Sequence, residues 1–153
     1  MIDAHARRQH AVALAGGFAT DIGSWYRGLA KPALNPPDWA FAPAWTIIYA
    51  LAATAAVIGW RATRTSAERA WLLSLFFANA VLNVLWSLIF FTVKRPDWAL
   101  AEVATLWLSV LALIIFCSRF APRAALLLAP YLVWVGFAAF LNYETVRLNA
   151  PFG

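Results

Sequence analysis

The sequence predicts an all-α integral membrane bundle of five transmembrane helices, the first of them short or partly polar. Three observations carry this. Of the 153 residues 63% are apolar and only 12% charged, against about 45–50% and about 25% in soluble domains. Mean hydropathy is +0.70. A helix crossing the hydrocarbon layer needs about 20 residues, so five spans with short loops occupy the chain as a single domain, 1–153. That length leaves no room for an attached soluble catalytic domain.

The first span is predicted at 2–22. Its apolar part, Ala11 to Thr20, is short and follows Arg7-Arg8. By itself this stretch also reads as a signal peptide, with a basic start, a brief apolar centre and small residues before Asp21. The connector at 23–40 holds Pro32, Pro36 and Pro37, which forbid a long helix. It also carries Trp25, Tyr26, Arg27 and Lys31. A loop this aromatic is expected to fold over the bundle as a lid. Trp25 and Tyr26 would cap a cavity, and Arg27 and Lys31 would offer its rim to ligand carboxylates.

The second span, 41–60, is uncharged and places Trp45 and Tyr49 on one face with Ala52, Ala53 and Ala56. The third, 70–93, is also uncharged, and its Asn79, Asn83, Trp86 and Ser87 fall at i, i+4, i+7 and i+8. The fourth, 98–118, is interrupted only by Glu102. Lying one turn inside and beside Lys94 and Arg95, Glu102 is expected to snorkel to the interface rather than relay protons. The fifth, 124–143, contains Pro130 and a stripe of Trp134, Phe137, Ala138, Leu141 and Asn142.

Amides in hydrocarbon need partners, so these stripes should face the bundle interior. For the asparagines, interhelical bonding and cavity lining are equal readings. For Trp45, Trp86 and Trp134 the cavity is favoured, because small residues pack helices better than indole does. Trp39, Trp60, Trp71 and Trp98 sit at span ends, where indole suits the interface. Leu141, Tyr143 and Arg147 fit a pattern proposed for sterol contact.

The formal charge of +5 comes from 12 Lys+Arg against 7 Asp+Glu. In a membrane protein such a surplus belongs to loops near anionic lipid, and it gives no reason to expect nucleic acid. Seven of the cations fall on the side of the N-terminus and five on the other, which favours an inside N-terminus. Two histidines, His5 and His10, and a single Cys117 supply neither a metal set nor an intramolecular disulfide. No nucleophile–base pair is visible, and no internal repeat of the kind that builds alternating-access carriers.

The segments WYRGLAKPALNPPDWAFAPAWTIIY (Trp25 to Tyr49), NAVLNVLWSLIFF (Asn79 to Phe91) and PYLVWVGFAAFLNYETVRLN (Pro130 to Asn149) together resemble the TspO/MBR family. These are the tryptophan-rich sensory proteins and the mitochondrial translocator proteins, or peripheral benzodiazepine receptors. The resemblance implies a five-helix bundle that forms a homodimer and holds a ligand pocket under the first loop. Family ligands are tetrapyrroles such as protoporphyrin IX, sterols and synthetic isoquinoline carboxamides. Carried over by position, the pocket would use Trp25, Tyr26, Trp45, Tyr49, Asn83, Trp86, Trp134, Phe137, Ala138 and Asn142. Family members have a longer apolar helix ahead of a glycine-rich end resembling Gly16 to Thr20, which favours a shortened first span over a signal peptide.

The expectation is therefore a multi-pass membrane protein of a bacterial envelope, binding a tetrapyrrole as sensor or regulator of porphyrin or pigment metabolism. It needs no obligatory cofactor. Its partners would be the bilayer, a porphyrin or sterol, and a second copy of itself. The alternatives are light-dependent degradation of bound porphyrin, with the pigment supplying the chemistry, and transport of sterol or porphyrin.

Overall fold

A computed structural model of the protein describes residues 23–152, so the predicted first span at 2–22 lies outside the described residues. The regular structure in this range is helical: α1 (Ser24–Gly28), α2 (Asp38–Ala62), α3 (Ser66–Ser87), α4 (Pro96–Ser118) and α5 (Pro122–Asn149). Helices α2 to α5 are each long and apolar enough to cross a membrane.

Local chemistry explains the ends. Pro36 and Pro37 keep the lid extended until Asp38 opens α2, where its carboxylate sits favourably at the positive end of the helix. At the start of α3, Thr65 Oγ1 accepts from the Glu68 amide at 3.1 Å while the Glu68 carboxylate accepts from the Thr65 amide at 3.3 Å. This reciprocal cap satisfies two amides that would otherwise lack partners. Helices α4 and α5 each begin on a proline, whose missing N–H costs nothing in the first turn. Helix α3 ends differently, in a π-helical turn at Leu88–Thr92. Its Val93 amide donates to Leu88 O at 2.8 Å, and Lys94 then takes a left-handed conformation with φ 59° that stops the helix.

Helix α5 packs along α4 and α2, and α3 packs on α4, whereas α2 and α3 touch only lightly. A cleft therefore runs between α2 and α3, lined by Ala52, Ala53, Ala56 and Phe76 and, toward one end, Trp60, Leu72 and Leu73. The densest core lies between α3, α4 and α5, where Leu72, Leu106, Leu113, Leu128 and Val135 are fully buried. Between 17% and 33% of the most apolar window of each long helix is buried. The rest, including Phe77, Leu126 and Val133, faces outward as a lipid-contacting surface.

Gly59 brings α2 against α3: a Cβ there would lie 3.3 Å from Leu72 Cδ1 and 3.9 Å from Cys117 Sγ. Gly59→Val adds a branched side chain at this crossing and should cost about 1–3 kcal/mol by overpacking. The expected result is a lowered Tm in nanodiscs, with Gly28→Val, where a Cβ meets nothing within 4 Å, as the comparison.

Candidate ligand cavity

Beneath the lid, α2, α3 and α5 enclose a cavity with mostly aromatic walls. Helix α2 contributes Phe41 and Trp45, α3 and its π-turn contribute Trp86, Phe90 and Phe91, and α5 contributes Trp134, Phe137, Ala138, Leu141, Asn142 and Thr145. Tyr26 and Asn35 close it from the lid. Trp45 meets Trp134 edge to face, with centroids 6.0 Å apart at 89°, and Trp134 meets Phe137 at 5.9 Å. On the opposite wall Trp86, Phe90 and Phe91 form a cluster in which Phe90 and Phe91 are 4.6 Å apart. Such pairs add to the burial of ring area and fix ring orientation. The closed cavity is small, with a volume of about 40 Å³. Among the described residues, none that lines the cavity is charged.

Two of the wall indoles differ in how their N–H is used. Trp86 Nε1 donates to Asn142 Oδ1 at 3.1 Å, and Asn142 Nδ2 in turn donates to Pro96 O at 2.8 Å. Asn142 thus ties α3, α4 and α5 together, and its polar groups are used. Trp134 Nε1 is buried and has no hydrogen-bond partner among the described residues. A buried donor left unpaired costs about 1–3 kcal/mol, and this one belongs to a residue lining the cavity.

A second polar assembly lies beside the cavity. Tyr49 OH donates to Asn83 Oδ1 at 2.8 Å, and Asn83 Nδ2 donates to Tyr131 OH at 2.7 Å. Tyr131 OH donates to Asn79 Oδ1 at 3.1 Å, Asn79 Nδ2 to Ser109 Oγ at 2.9 Å, and Ser109 Oγ to Leu106 O at 2.6 Å. This directed chain crosses all four long helices. It moves two expected cavity residues elsewhere: Tyr49 and Asn83 line the α2–α3 cleft and not the aromatic cavity. Tyr131 and Ser109, which the helical stripes did not single out, complete it.

The lid differs from expectation in its cations. Trp25 packs edge-on against Phe90 at 6.1 Å, outside the cavity wall. Lys31 Nζ donates to the carbonyls of Tyr26 and Leu29 and lies 4.3 Å over the Tyr26 ring. It braces the lid from within. Arg27 is exposed and 3.9 Å from Asp38. Neither cation lines the cavity. The lid is fastened by Asn149 at the end of α5, which accepts from the Ala30 amide at 2.8 Å and donates to the Ala30 carbonyl at 2.9 Å. Of the sterol pattern, Leu141 lines the cavity, Tyr143 is exposed and Arg147 pairs with Glu144 at 2.6 Å. Residues two apart on a helix point to different sides, so the three do not share one surface. Glu102 does not snorkel: both its carboxyl oxygens are buried, without a partner among the described residues.

These features define a multi-pass helical membrane protein with a lidded aromatic cavity. The sequence profile of the TspO/MBR family matches residues 8–148, and the chain belongs to that family. It is 37% identical to the tryptophan-rich protein TspO of Chlorobaculum tepidum over 145 residues, 91% of this chain and 89% of that one. It is 38% identical to the tryptophan-rich sensory protein of Cereibacter sphaeroides over 125 residues (82% and 77%). With the human translocator protein it shares 33% over 126 residues (82% and 75%). The four apolar spans and the bacterial relatives make it a multi-pass bacterial membrane protein.

Two expectations test the lid. Asn149→Leu removes both bonds to Ala30 and should accelerate hydrogen exchange at the Ala30 amide, with α4 amides unchanged. Burial, reinforced by the Asp38 charge and partly offset by the Asn35 hydrogen bond, pushes the Tyr26 phenol above its ordinary value of 10.0. The neutral phenol favours the closed lid below pH 10.0, and that preference is lost as pH rises through the higher closed-lid value. Exchange at Ala30 should therefore show an added increase at alkaline pH that Tyr26→Phe abolishes.

Proposed function

We propose that this protein binds a tetrapyrrole of the protoporphyrin IX type in the aromatic cavity and serves as a sensor or regulator of porphyrin or pigment metabolism. The observation that carries the reading is the Trp134 N–H, without a partner among the described residues, on the wall of an aromatic cavity that none of the described charged residues lines. Such a site favours a flat, apolar molecule that presents an acceptor to one indole and its faces to several others. A macrocycle is wider than the closed cavity, so binding requires the lid to lift. Lifting parts Arg27 on the lid from Asp38 at the start of α2, and Arg27, with Lys31 carried on the same lid, can then meet propionates at the rim. The relatives named as sensory proteins support the regulatory half of the reading. Sterol binding in the same cavity and pairing of two copies belong to it as further expectations.

Trp134→Phe keeps the ring and removes the donor. One hydrogen bond is worth about 0.5–1.5 kcal/mol, so protoporphyrin IX should bind roughly 2- to 12-fold more weakly. Saturable quenching of tryptophan fluorescence in nanodiscs reads this. Non-saturating quenching, identical in the variant, would mean partitioning into lipid and would overturn the proposal.

A further inference from the structure

Among the described residues, the buried side-chain polar atoms without a partner belong to Trp134 and Glu102. Trp134 is part of the cavity; Glu102 is not. It sits on α4 seven residues before Ser109, two helical turns apart on one flank, and Ser109 faces α3 through Asn79. No cation among the described residues is placed to neutralise it. The α2 stretch 39–60, the α3 stretch 70–93 and the α5 stretch 124–143 carry no charged residue, and within 98–118 Glu102 is alone. The nearest charges along its own helix, Arg95 and Asp97, are paired with each other at 2.6 Å at the helix start. Glu144 and Arg147, toward the end of α5, are likewise paired. The remaining titratable groups facing this region are the Tyr131 phenol on α5, within electrostatic reach of the carboxyl, and through Asn83 the Tyr49 phenol on α2. A carboxylate withdrawn from water with neither donor nor counter-ion is far costlier than the neutral acid.

We propose that Glu102 is a proton-binding site inside the membrane, occupied as the neutral acid at neutral pH, and that Tyr131 conveys its occupancy to the aromatic cavity. Tyr131 is the hub of the directed chain: its hydroxyl accepts from Asn83 and donates to Asn79, while its ring meets Trp45 edge to face at 6.4 Å and 80°. A negative charge on Glu102 draws the Tyr131 hydroxyl proton away from Asn79 Oδ1. The chain then loses a bond, and the ring against Trp45 changes position. By linkage, a molecule that displaces Trp45 changes the proton affinity of Glu102 to the same degree. The inference requires the cavity wall but no particular ligand, so it stands or falls separately from tetrapyrrole binding.

Infrared spectroscopy of the full chain in nanodiscs, without added ligand, tests it. At pH 7 the wild type should show a protonated-carboxyl carbonyl band that Glu102→Gln lacks. As pH is raised the band should disappear, and the Trp45 indole N–H resonance, assigned with Trp45→Phe, should shift over the same interval. In Glu102→Gln that resonance should stay still. Tyr131→Phe should keep the band while the resonance no longer follows it. Should Glu102→Gln not assemble, Glu102→Asp serves, because it displaces the band instead of removing it. Identical carbonyl spectra for wild type and variant at pH 7 would overturn the proton site. A titrating band with a motionless Trp45 resonance would overturn the coupling.

Discussion

Inside a bilayer there is no water to satisfy a misplaced amide or phenol, so such a group on a span needs a partner within the protein. Here that constraint is met by one chain of bonds from Tyr49 through Asn83, Tyr131 and Asn79 to Ser109. Each of these links joins one helix to another. Rotating or sliding any one of the four would strand at least two polar groups in an apolar interior. Apolar packing between spans is weakly directional, because lipid tails offer leucine much the same company as a neighbouring helix does. The chain therefore determines register, and the cavity walls inherit it: Trp45 lies one turn before Tyr49, Trp86 one turn after Asn83, and Trp134 one turn after Tyr131.

Asn142 acts in the same way nearer the lid, joining Trp86 to the first carbonyl of α4. Between these two polar ties, no other side-chain hydrogen bond from helix to helix among the described residues holds the aromatic walls. They are positioned by ring against ring. A cavity bounded this way tolerates rearrangement of its contents more readily than of its frame, which suits a site that must open for a rigid guest.

Helical periodicity made much of this legible. Residues three and four apart share a face, so the stripes ending in Asn142 on α5 and starting at Asn79 on α3 had to point inward, as they do. Periodicity cannot say which of two interior sites a residue serves. Asn83 and Trp86 lie on one stripe, yet one enters the hydrogen-bond chain and the other the cavity wall. Phe90 and Phe91 extend that stripe by a further turn from Trp86 and Ser87, but as plain apolar residues near a helix end they carry no polar signal. Lys31 departs from the pattern of loop cations, which ordinarily seek water. Here the ammonium donates to the Leu29 carbonyl and, alongside the Leu29 amide, to the Tyr26 carbonyl. Glu102 departs from expectation because nearness to a helix end makes snorkelling easy, whereas its angular position, shared with Ser109, turns it inward.

The bond pair between Ala30 and Asn149 joins positions 119 residues apart. Bringing such distant points together in an unfolded chain carries a substantial loop-closure entropy, far more than two exposed hydrogen bonds return. The clasp becomes favourable only after α2 and α5 have packed and delivered both ends to the same spot. Closure of the lid is thus a late event in maturation, conditional on a finished bundle, and a chain with misassembled spans keeps its aromatic chamber open to the surroundings.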